Sequence, residues 1–256
     1  MCSISATAEP PRPSSPGDGA EAGQDARETP PLPILYADAH LTVCVKPAGL
    51  SSETDLPALL ARQTGAPAMC VHRLDTAAGG VMVYARSPRS AAALSRAFAA
   101  READKRYLAV CAGTPEPEAG VFRDLLFRDA RHNKSFVVSR PRKGVREASL
   151  RYRVLETAGD ASLAAVRLET GRSHQIRVQF ASRKHPLLGD GKYGSRVRCG
   201  LALWSAFLCL AHPLTGEALR LFCPPPEVYP WTLFSPPAVF ARCAARDAFG
   251  GEGGAE

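Results

Sequence analysis

The sequence predicts an α+β domain built on a largely antiparallel, mixed β-sheet that is flanked by helices. Strand-like segments outnumber helical ones along the 256 residues. The connections between these strands are short, which favours antiparallel neighbours in the sheet. Helical patterns are few, so we expect the helices to pack mainly against one side of the sheet.

The first predicted elements are a strand and a short helix. Residues 41–50 (LTVCVKPAGL) alternate as a strand, which Pro47 interrupts. Residues 55–65 (DLPALLARQTG) predict a helix with Asp55 as its N-cap and Gly65 as its C-terminal stop.

The clearest helix covers residues 87–105. Ser87 is placed as its N-cap, Pro88 occupies its first turn, and Leu94 and Phe98 share one face. Strands are predicted on either side of this helix and through the second half of the chain, at 81–85, 106–113, 135–139, 148–156 and 162–170, and as a hairpin within 204–226.

Both ends of the chain differ in composition from this domain. Residues 1–30 are rich in Pro, Gly, Ala and Ser, and hold five acidic against two basic residues. Such a segment buries too little apolar surface to offset its ordering entropy. We therefore expect a disordered tail over 1–30, a folded catalytic domain over 31–240 and a flexible C-terminal tail over 241–256. The tail resembles no signal or transit peptide, and no apolar run reaches about 18 residues, so we expect a cytoplasmic protein.

Positive charge is concentrated in two segments. The chain has 32 Lys and Arg against 25 Asp and Glu, a net charge of +7. Residues 128–153 contain nine basic and two acidic side chains, and a second basic cluster covers 172–198. Clustered bases predict a polyanionic partner, most often nucleic acid, although a solvated basic face has the same composition.

The sequence offers no familiar metal or cofactor motif. The eight cysteines stand singly, without a CxxC pair, and several lie in apolar strand-like segments where a thiol packs as a small apolar group. A phosphate-binding loop, a GxSxG elbow, an HExxH pair and a dinucleotide-binding glycine pattern are all missing. We expect neither a metal nor a cofactor, and a monomer, since no heptad pattern occurs.

The segment VHRLDTAAGG (71–80) places His72, Arg73 and Asp75 against the apolar run that follows. A carboxylate in a partly dry cleft stays ionised when a guanidinium lies close to it. Such an aspartate can serve as a nucleophile or a base without a cofactor. A structural Arg–Asp salt bridge is the alternative that this segment alone leaves open.

Four ordered segments together resemble the RluA-type pseudouridine synthases: VHRLDTAAGGVMVYARS, KRYLAV, LETGRSHQIRVQFASRK and HPLLGDGKYG. The resemblance covers roughly residues 34–232. It implies the pseudouridine synthase catalytic fold with a basic RNA-binding cleft, without an S4 domain ahead of it. It also implies an isomerase that detaches a uracil in RNA from the sugar, turns it and rejoins it through carbon 5, without metal or cofactor.

The resemblance assigns catalytic roles to three residues. Asp75 matches the catalytic aspartate, and Tyr107 matches a tyrosine that packs on the uracil and can relay a proton. Arg177 matches the basic residue that pairs with the aspartate. Arg172 is the alternative for that pairing, or it holds a phosphate. The segment 171–180 fits both a helix and a strand, so spacing does not decide between the two arginines.

RNA contacts are predicted for seven residues: His72, Arg73, Lys46, Arg172, His174, Arg142 and Lys143. Arg73 is the candidate to fill the gap that a flipped base leaves, because its planar guanidinium both stacks and binds phosphate. Three further residues of the matched motifs are expected to shape the cleft: Gln175, His185 and Asp190. The chain departs from the family pattern at TAAGG (76–80), where Thr-Ser-Gly is usual, and at Trp204, where His is frequent.

The resulting hypothesis is site-specific isomerisation of uridine to pseudouridine in structured RNA. Ribosomal RNA is favoured over transfer RNA, because RHNKSFVV and KGVREASLRY resemble the ribosomal members of the family. Two alternatives come from other classes. One is a catalytically silent RNA-binding module on the same fold. The other is a metal-dependent nuclease that uses Asp75, which would need further carboxylates nearby.

Overall fold

The computed structural model describes residues 30–234, 238–245 and 249. The predicted tail over 1–30 lies outside these residues except for Pro30, as does most of 246–256. Eleven strands of the described chain form one sheet: β1 Ile34–Ala37, β2 Leu41–Lys46, β3 Met69–Cys70, β4 Gly79–Ala85, β5 Asp104–Ala112, β6 Ala119–Asp129, β7 Lys134–Val138, β8 Val145–Ala158, β9 Ala161–Leu168, β10 Leu203–Ala211 and β11 Ala218–Phe222.

Four α-helices accompany the sheet: α1 Asp55–Thr64, α2 Pro88–Ala99, α3 Gln175–Ser182 and α4 Ala238–Ala241. Short 3-10 turns occur at Gly191–Tyr193, Trp231–Leu233 and Arg242–Ala244. In the part of the chain that the structure describes, no helix is long and apolar enough to cross a membrane.

The sheet order is β1-β2-β4-β10-β5-β9-β8-β6-β7, with β3 on β4 and β11 on β10. Among these strands only β4 and β10 pair in parallel, and the other pairs are antiparallel. This confirms the predicted mixed, largely antiparallel α+β fold. The parallel pair places β10, from late in the chain, at the centre between β4 and β5.

Two glycines permit this central pairing. Gly80 has φ +119°, and a Cβ built there would overlap the backbone oxygen of Ser205 on β10 and lie 2.6 Å from its nitrogen. At Gly79 a Cβ would overlap the ring of Trp204. The GG pair that ends the segment 71–80 therefore lets two strands approach each other closely.

The two predicted helices form with small shifts at their ends. α1 ends at Gly65 with φ 65°, as predicted, but its N-cap is Thr54, and Asp55 is the first helical residue. Ser87 caps α2 in a capping box with Ser90. α2 stops at Ala99 and not at 105, because Arg101 takes φ 61° and β5 begins at Asp104.

Helices pack on both faces of the sheet, which corrects the expectation of one covered side. Alternate residues of β4 enter different apolar clusters. Met82 joins one cluster with Leu56 of α1 and Phe180 of α3, and Val81 joins another with Leu94 of α2. Each strand side chain points to the face opposite its neighbour's, so α2 lies across the sheet from α1 and α3.

The ordered fold continues past the predicted boundary at 240. Cys243 has no exposed surface and packs with Trp231 and Phe240 in a third apolar cluster. The buried Arg106 of β5 donates hydrogen bonds to the carbonyl oxygens of Cys243, at 3.1 Å, and Ala245, at 2.5 Å. A guanidinium that satisfies these carbonyls fixes residues 241–245 against the sheet.

Candidate active site

A cleft of about 710 Å³ is lined by the loop before β4, the end of α2 and the start of α3. Its lining includes Asp75, Tyr107 and Arg177, which come from that loop, from β5 and from α3. The volume falls within the range of sites that enclose a small ligand, about 300–1,000 Å³. The fold thus brings the three predicted catalytic residues together.

Lys46 anchors the loop that carries Asp75. The Lys46 ammonium donates to the carbonyl oxygens of Pro47 at 3.1 Å, Thr76 at 3.0 Å and Ala78 at 2.6 Å. Its side chain has no exposed surface. Burial lowers the pKa of Lys46 to about 8, although the charge of Asp75 opposes this shift. The prediction that Lys46 contacts an RNA phosphate is wrong, because its ammonium is buried on three backbone acceptors.

Asp75 is paired with Arg177. The Arg177 Nη1 lies 3.0 Å from Asp75 Oδ2, and its Nε and Nη2 bind the two carboxylate oxygens of Asp190 at 2.7 and 2.8 Å. The Asp190 side chain is 1% exposed. Arg172 instead donates to the carbonyl oxygen of Glu147 at 2.9 Å and stays exposed at the cleft. The geometry therefore selects Arg177 as the partner, and Asp190 holds its guanidinium in a bidentate grip.

Burial and nearby charges shift the pKa values of Arg177 and Tyr107, the neighbours of Asp75. Burial alone would lower the pKa of Arg177, but the carboxylates of Asp190 and Asp75 outweigh burial and raise that pKa. Burial and the charge of Asp75 raise the pKa of Tyr107 well above its usual value. Arg177 thus stays cationic, and the Tyr107 hydroxyl keeps its proton at neutral pH.

Residues 171–180, whose pattern fits both a helix and a strand, form a turn followed by a helix. The Gln175 side-chain oxygen accepts hydrogen bonds from Thr170 Oγ1 at 2.7 Å and from the Arg172 backbone N–H at 3.0 Å. Its Nε2 donates to the carbonyl oxygen of Ser149 at 3.0 Å. The buried Gln175 therefore closes the turn ahead of α3, and the helix presents Arg177 to Asp75.

His174 lies beside the Asp75 carboxylate. Its Nε2 is 3.9 Å from Asp75 Oδ2, and its Nδ1 is 2.9 Å from the hydroxyl of Tyr193. The His174 side chain is 9% exposed. The structure places this residue next to Asp75 and not on an open RNA-facing surface, although it was predicted to contact RNA.

Tyr193 contacts the residues of the site, although the sequence assigned no role to it. Its hydroxyl accepts a hydrogen bond from the Ser135 backbone N–H at 2.8 Å and meets His174. The Arg177 guanidinium lies over its ring, 5.1 Å from the centroid. The only signal in the sequence is its place in HPLLGDGKYG, because its contacts come from β7 and from the turn before α3.

The residues that precede Asp75 have different environments. His72 is buried: its Nε2 accepts the Val83 backbone N–H at 3.1 Å, and its ring packs on Phe98. Burial lowers the pKa of His72 to about 3. The prediction that His72 binds RNA is therefore wrong, because the ring is neutral and holds the loop to β4. Arg73 is exposed at the cleft and pairs with Glu53 at 3.1 Å, so it is accessible to RNA.

Arg142 and Lys143 are exposed in the turn between β7 and β8. The Arg142 guanidinium lies 4.8 Å from the ring centroid of Phe127. Neither residue lines the cleft, whereas Arg128 and Asn133, at the β6–β7 turn, do. The basic strands β6–β8 thus reach the cleft at one end and display Arg142 and Lys143 farther away. Across the described residues, no group of three or more His, Cys, Asp or Glu side chains is arranged to hold a metal ion.

Comparison with known proteins identifies the same family from the sequence. A family model described as RNA pseudouridylate synthase matches residues 40–182. An uncharacterized RNA pseudouridine synthase of Mycobacterium bovis is 36% identical over 217 residues, which is 76% of this chain and 70% of its own. The dual-specificity RNA pseudouridine synthase RluA of Salmonella typhi is 35% identical over 214 residues, 77% and 94% of the two chains. The ribosomal large subunit pseudouridine synthase D of Xanthomonas campestris is 34% identical over 225 residues, 77% and 67%.

Solved structures agree with this result. Human RNA pseudouridylate synthase domain containing 4 superposes with a TM-score of 0.65 at 26% identity, covering 83% of this chain and 92% of its own. Human RNA pseudouridylate synthase domain containing 1 gives a TM-score of 0.68 at 24% identity, covering 77% and 84%, and supports the fold. The chain belongs to the RNA pseudouridylate synthase family, as an RluA-type isomerase that acts on RNA.

Proposed function

We propose that the protein converts one uridine of structured ribosomal RNA to pseudouridine, after flipping that nucleotide into the cleft, with Asp75 as the catalytic residue. One observation carries the proposal. The hydrogen bond to the Asp75 carboxylate from the described residues falls on Oδ2, from Arg177. Oδ1 accepts no hydrogen bond from them and belongs to the side chain that lines the cleft. An ionised carboxylate with one unoccupied oxygen suits attack on, or proton abstraction from, a bound nucleotide.

The reaction requires little from the protein beyond positioning. The bond between C1′ and the uracil nitrogen N1 breaks, the base turns, and C5 bonds to C1′. C5 then loses its proton and N1 gains one, so the product is an isomer of the substrate. Arg177 holds the Asp75 carboxylate through Oδ2 during this sequence. The Tyr107 ring forms a wall for the uracil, and its protonated hydroxyl is available as a donor. Arg73 fills the space that the flipped base leaves in the RNA stack.

Ribosomal RNA is the proposed substrate class, and transfer RNA is the second candidate. The relative from Xanthomonas campestris is named as a ribosomal large subunit enzyme, whereas the one from Salmonella typhi is named as dual-specificity. The basic strands β6–β8 supply the electrostatic grip that a large folded RNA needs. We propose that the enzyme acts as a cytoplasmic monomer without metal or cofactor.

The test uses RNA that carries tritium at carbon 5 of uracil. Ribosomal and transfer RNA are incubated separately with the wild type, Asp75→Asn and Asp75→Ala, with EDTA in place of metal. We expect the wild type to release tritium to water from ribosomal RNA, and both variants to release none while they still bind RNA. Release from transfer RNA alone would change the substrate class. Binding without release by the wild type would support the silent RNA-binding module, and cleavage of the RNA that requires Mg²⁺ would support the nuclease.

A further inference from the structure

We propose that His174 is a positioning residue for the Asp75 carboxylate, and that the Tyr193 hydroxyl sets its orientation. This inference rests on the proposed function and deepens it, because it concerns the same carboxylate. Asp75, His174 and Tyr193 come from three separate segments of the chain. Their side chains nevertheless form a connected series of polar contacts that ends at the backbone of β7.

His174 has an unusual backbone conformation for a residue with a side chain. Its φ is 54°, in the left-handed region, and it precedes α3 without capping that helix through its side chain. Residues other than glycine occupy this region at an energetic cost and mainly near functional sites. Here the conformation accompanies an imidazole that lies between Tyr193 and Asp75.

The hydrogen-bond partners determine which ring nitrogen carries the proton. A carboxylate only accepts, so Nε2 can bind Asp75 only as the donor. Burial lowers the pKa of His174, although Asp75 opposes this, so the ring is neutral and its Nδ1 is an acceptor. The Tyr193 hydroxyl oxygen accepts a hydrogen bond from the Ser135 backbone N–H, so the Tyr193 hydroxyl proton is available for donation to His174 Nδ1. The polar series runs from Ser135 through Tyr193 and His174 to Asp75.

The end of this series at β7 is fixed by several contacts. Ser135 Oγ donates to the carbonyl oxygen of Ser173, the residue before His174, at 2.7 Å. Lys134 lies over the Tyr193 ring, 5.3 Å from its centroid. The ring and hydroxyl of Tyr193 are thus held on both sides. A fixed Tyr193 allows His174 only a small approach to Asp75.

The distance from Nε2 to Asp75 Oδ2, 3.9 Å, is too long for a hydrogen bond. Catalytic hydrogen bonds are often long without substrate and shorten in the reactive complex. When His174 closes this gap, Oδ2 is held by both His174 and Arg177. The carboxylate is then oriented with Oδ1 toward the nucleotide.

Two substitutions separate this role from a simple structural one. Tyr193→Phe keeps the ring under Arg177 and Lys134 but removes the hydroxyl. His174→Asn keeps a residue that tolerates left-handed backbone but removes the imidazole. We expect each to lower the single-turnover rate at saturating RNA by about tenfold, and to leave the Kd for RNA within about twofold. The double variant should be no slower than His174→Asn alone, because Tyr193 acts through His174.

Tyr152→Phe is the matched control. The Tyr152 hydroxyl donates to the carbonyl oxygen of Pro117 at 2.7 Å, and neither residue lines the cleft. We expect this variant to react at the wild-type rate. ¹⁵N NMR of the histidine rings gives an independent readout. His174 should be protonated at Nε2 in the wild type, and should shift toward Nδ1 protonation in Tyr193→Phe.

Three results would overturn the inference: a wild-type rate for Tyr193→Phe, multiplicative rate losses in the double variant, or Nδ1 protonation in the wild type. A loss of RNA affinity in His174→Asn at an unchanged rate would instead make His174 an RNA contact. Failure of the proposed function is distinguishable, because the wild type itself would then release no tritium, whereas the tautomer measurement needs no activity.

Discussion

The buried ammonium of Lys46 stabilises the loop that carries Asp75. Lys46→Met keeps much of the apolar volume but removes the Lys46 hydrogen bonds to the carbonyl groups of Pro47, Thr76 and Ala78, of which Thr76 keeps the Gly49 backbone N–H. Each unsatisfied buried polar group costs about 1–3 kcal/mol. We expect the free energy of unfolding to fall by about 2–4 kcal/mol, as measured by urea denaturation followed by circular dichroism. Lys143→Met, at an exposed lysine, should leave the free energy of unfolding unchanged, and equal stability of both variants would contradict the anchoring role.

Gly80 permits a close approach that no other residue allows. A Cβ at this position would overlap the Ser205 backbone oxygen, which cannot move without breaking the β4–β10 pair. We expect Gly80→Ala to lower the free energy of unfolding by about 3 kcal/mol or more. Gly159→Ala is the control, because Gly159 also has positive φ but has open space around it. Its cost should be about 1–2 kcal/mol. Similar melting temperatures for the two variants would show that the overlap is relieved cheaply.

Single residues differ in how readily the sequence predicts them. Asp75, Tyr107 and Arg177 stand in recognisable motifs, and the structure places them in one cleft. Lys46 and His72 also stand in or near those motifs, but their burial depends on packing that one-dimensional patterns do not contain. Tyr193 was missed for the same reason: its contacts with Ser135 and His174 bring together segments that lie far apart in the chain.

Two turns at one edge of the domain are joined by a hydrogen bond between side chains. Asp38, between β1 and β2, binds His212, which follows β10, with 2.8 Å between Oδ2 and Nε2. Burial alone would raise the pKa of Asp38, but the backbone N–H groups of His40 and Leu41, and the side chains of Tyr36 and His212, lower it to about 2. The folded state thus favours the charged carboxylate.

This shift predicts a pH dependence of stability. The folded pKa lies below the unfolded one, so the stabilisation is present above about pH 4 and is lost as the pH falls toward 2. We expect Asp38→Asn to be less stable than the wild type at pH 7, with the gap closing as the pH falls below 4. Urea unfolding at a series of pH values measures this gap. A gap that stays constant down to pH 2 would contradict the assignment.

Strands and helices were predictable where their patterns were unambiguous. The alternation in LTVCVK and the capped helix after Ser87 gave the correct element types. β6 was not predicted, because its buried residues Phe122 and Leu126 are four apart, a spacing that suits a helix as well as a strand. α3 stayed ambiguous because six consecutive residues, from Gln175 to Phe180, are buried, so neither periodicity dominates.

The excess of positive charge makes RNA binding dependent on salt. Arg142 and Lys143 are exposed in the turn between β7 and β8 and lie outside the cleft lining. We expect Arg142→Ala and Lys143→Ala each to weaken RNA binding and to reduce the slope of log affinity against log salt by about one per lost phosphate contact. Single-turnover rates at saturating RNA should not change. Fluorescence anisotropy with labelled RNA measures the slope.

Arg62→Ala and Arg220→Ala provide the comparison, because both arginines are exposed on elements outside the basic strands. They should leave the slope unchanged. An equal loss of slope in all four variants would indicate a diffuse charge effect and not a defined RNA path.

The central position of β10 has a consequence for synthesis of the protein on the ribosome. Ser205 pairs with Gly80 on one side and with Tyr107 on the other, so this late strand sets the register of the two segments that hold the active site. A nascent chain that ends before Leu203 contains Asp75, Tyr107 and Arg177 but leaves β4 and β5 with unpaired inner edges. Unpaired strand edges pair with strands of other chains and are bound by chaperones. The active site can therefore form only when translation of the domain is almost complete.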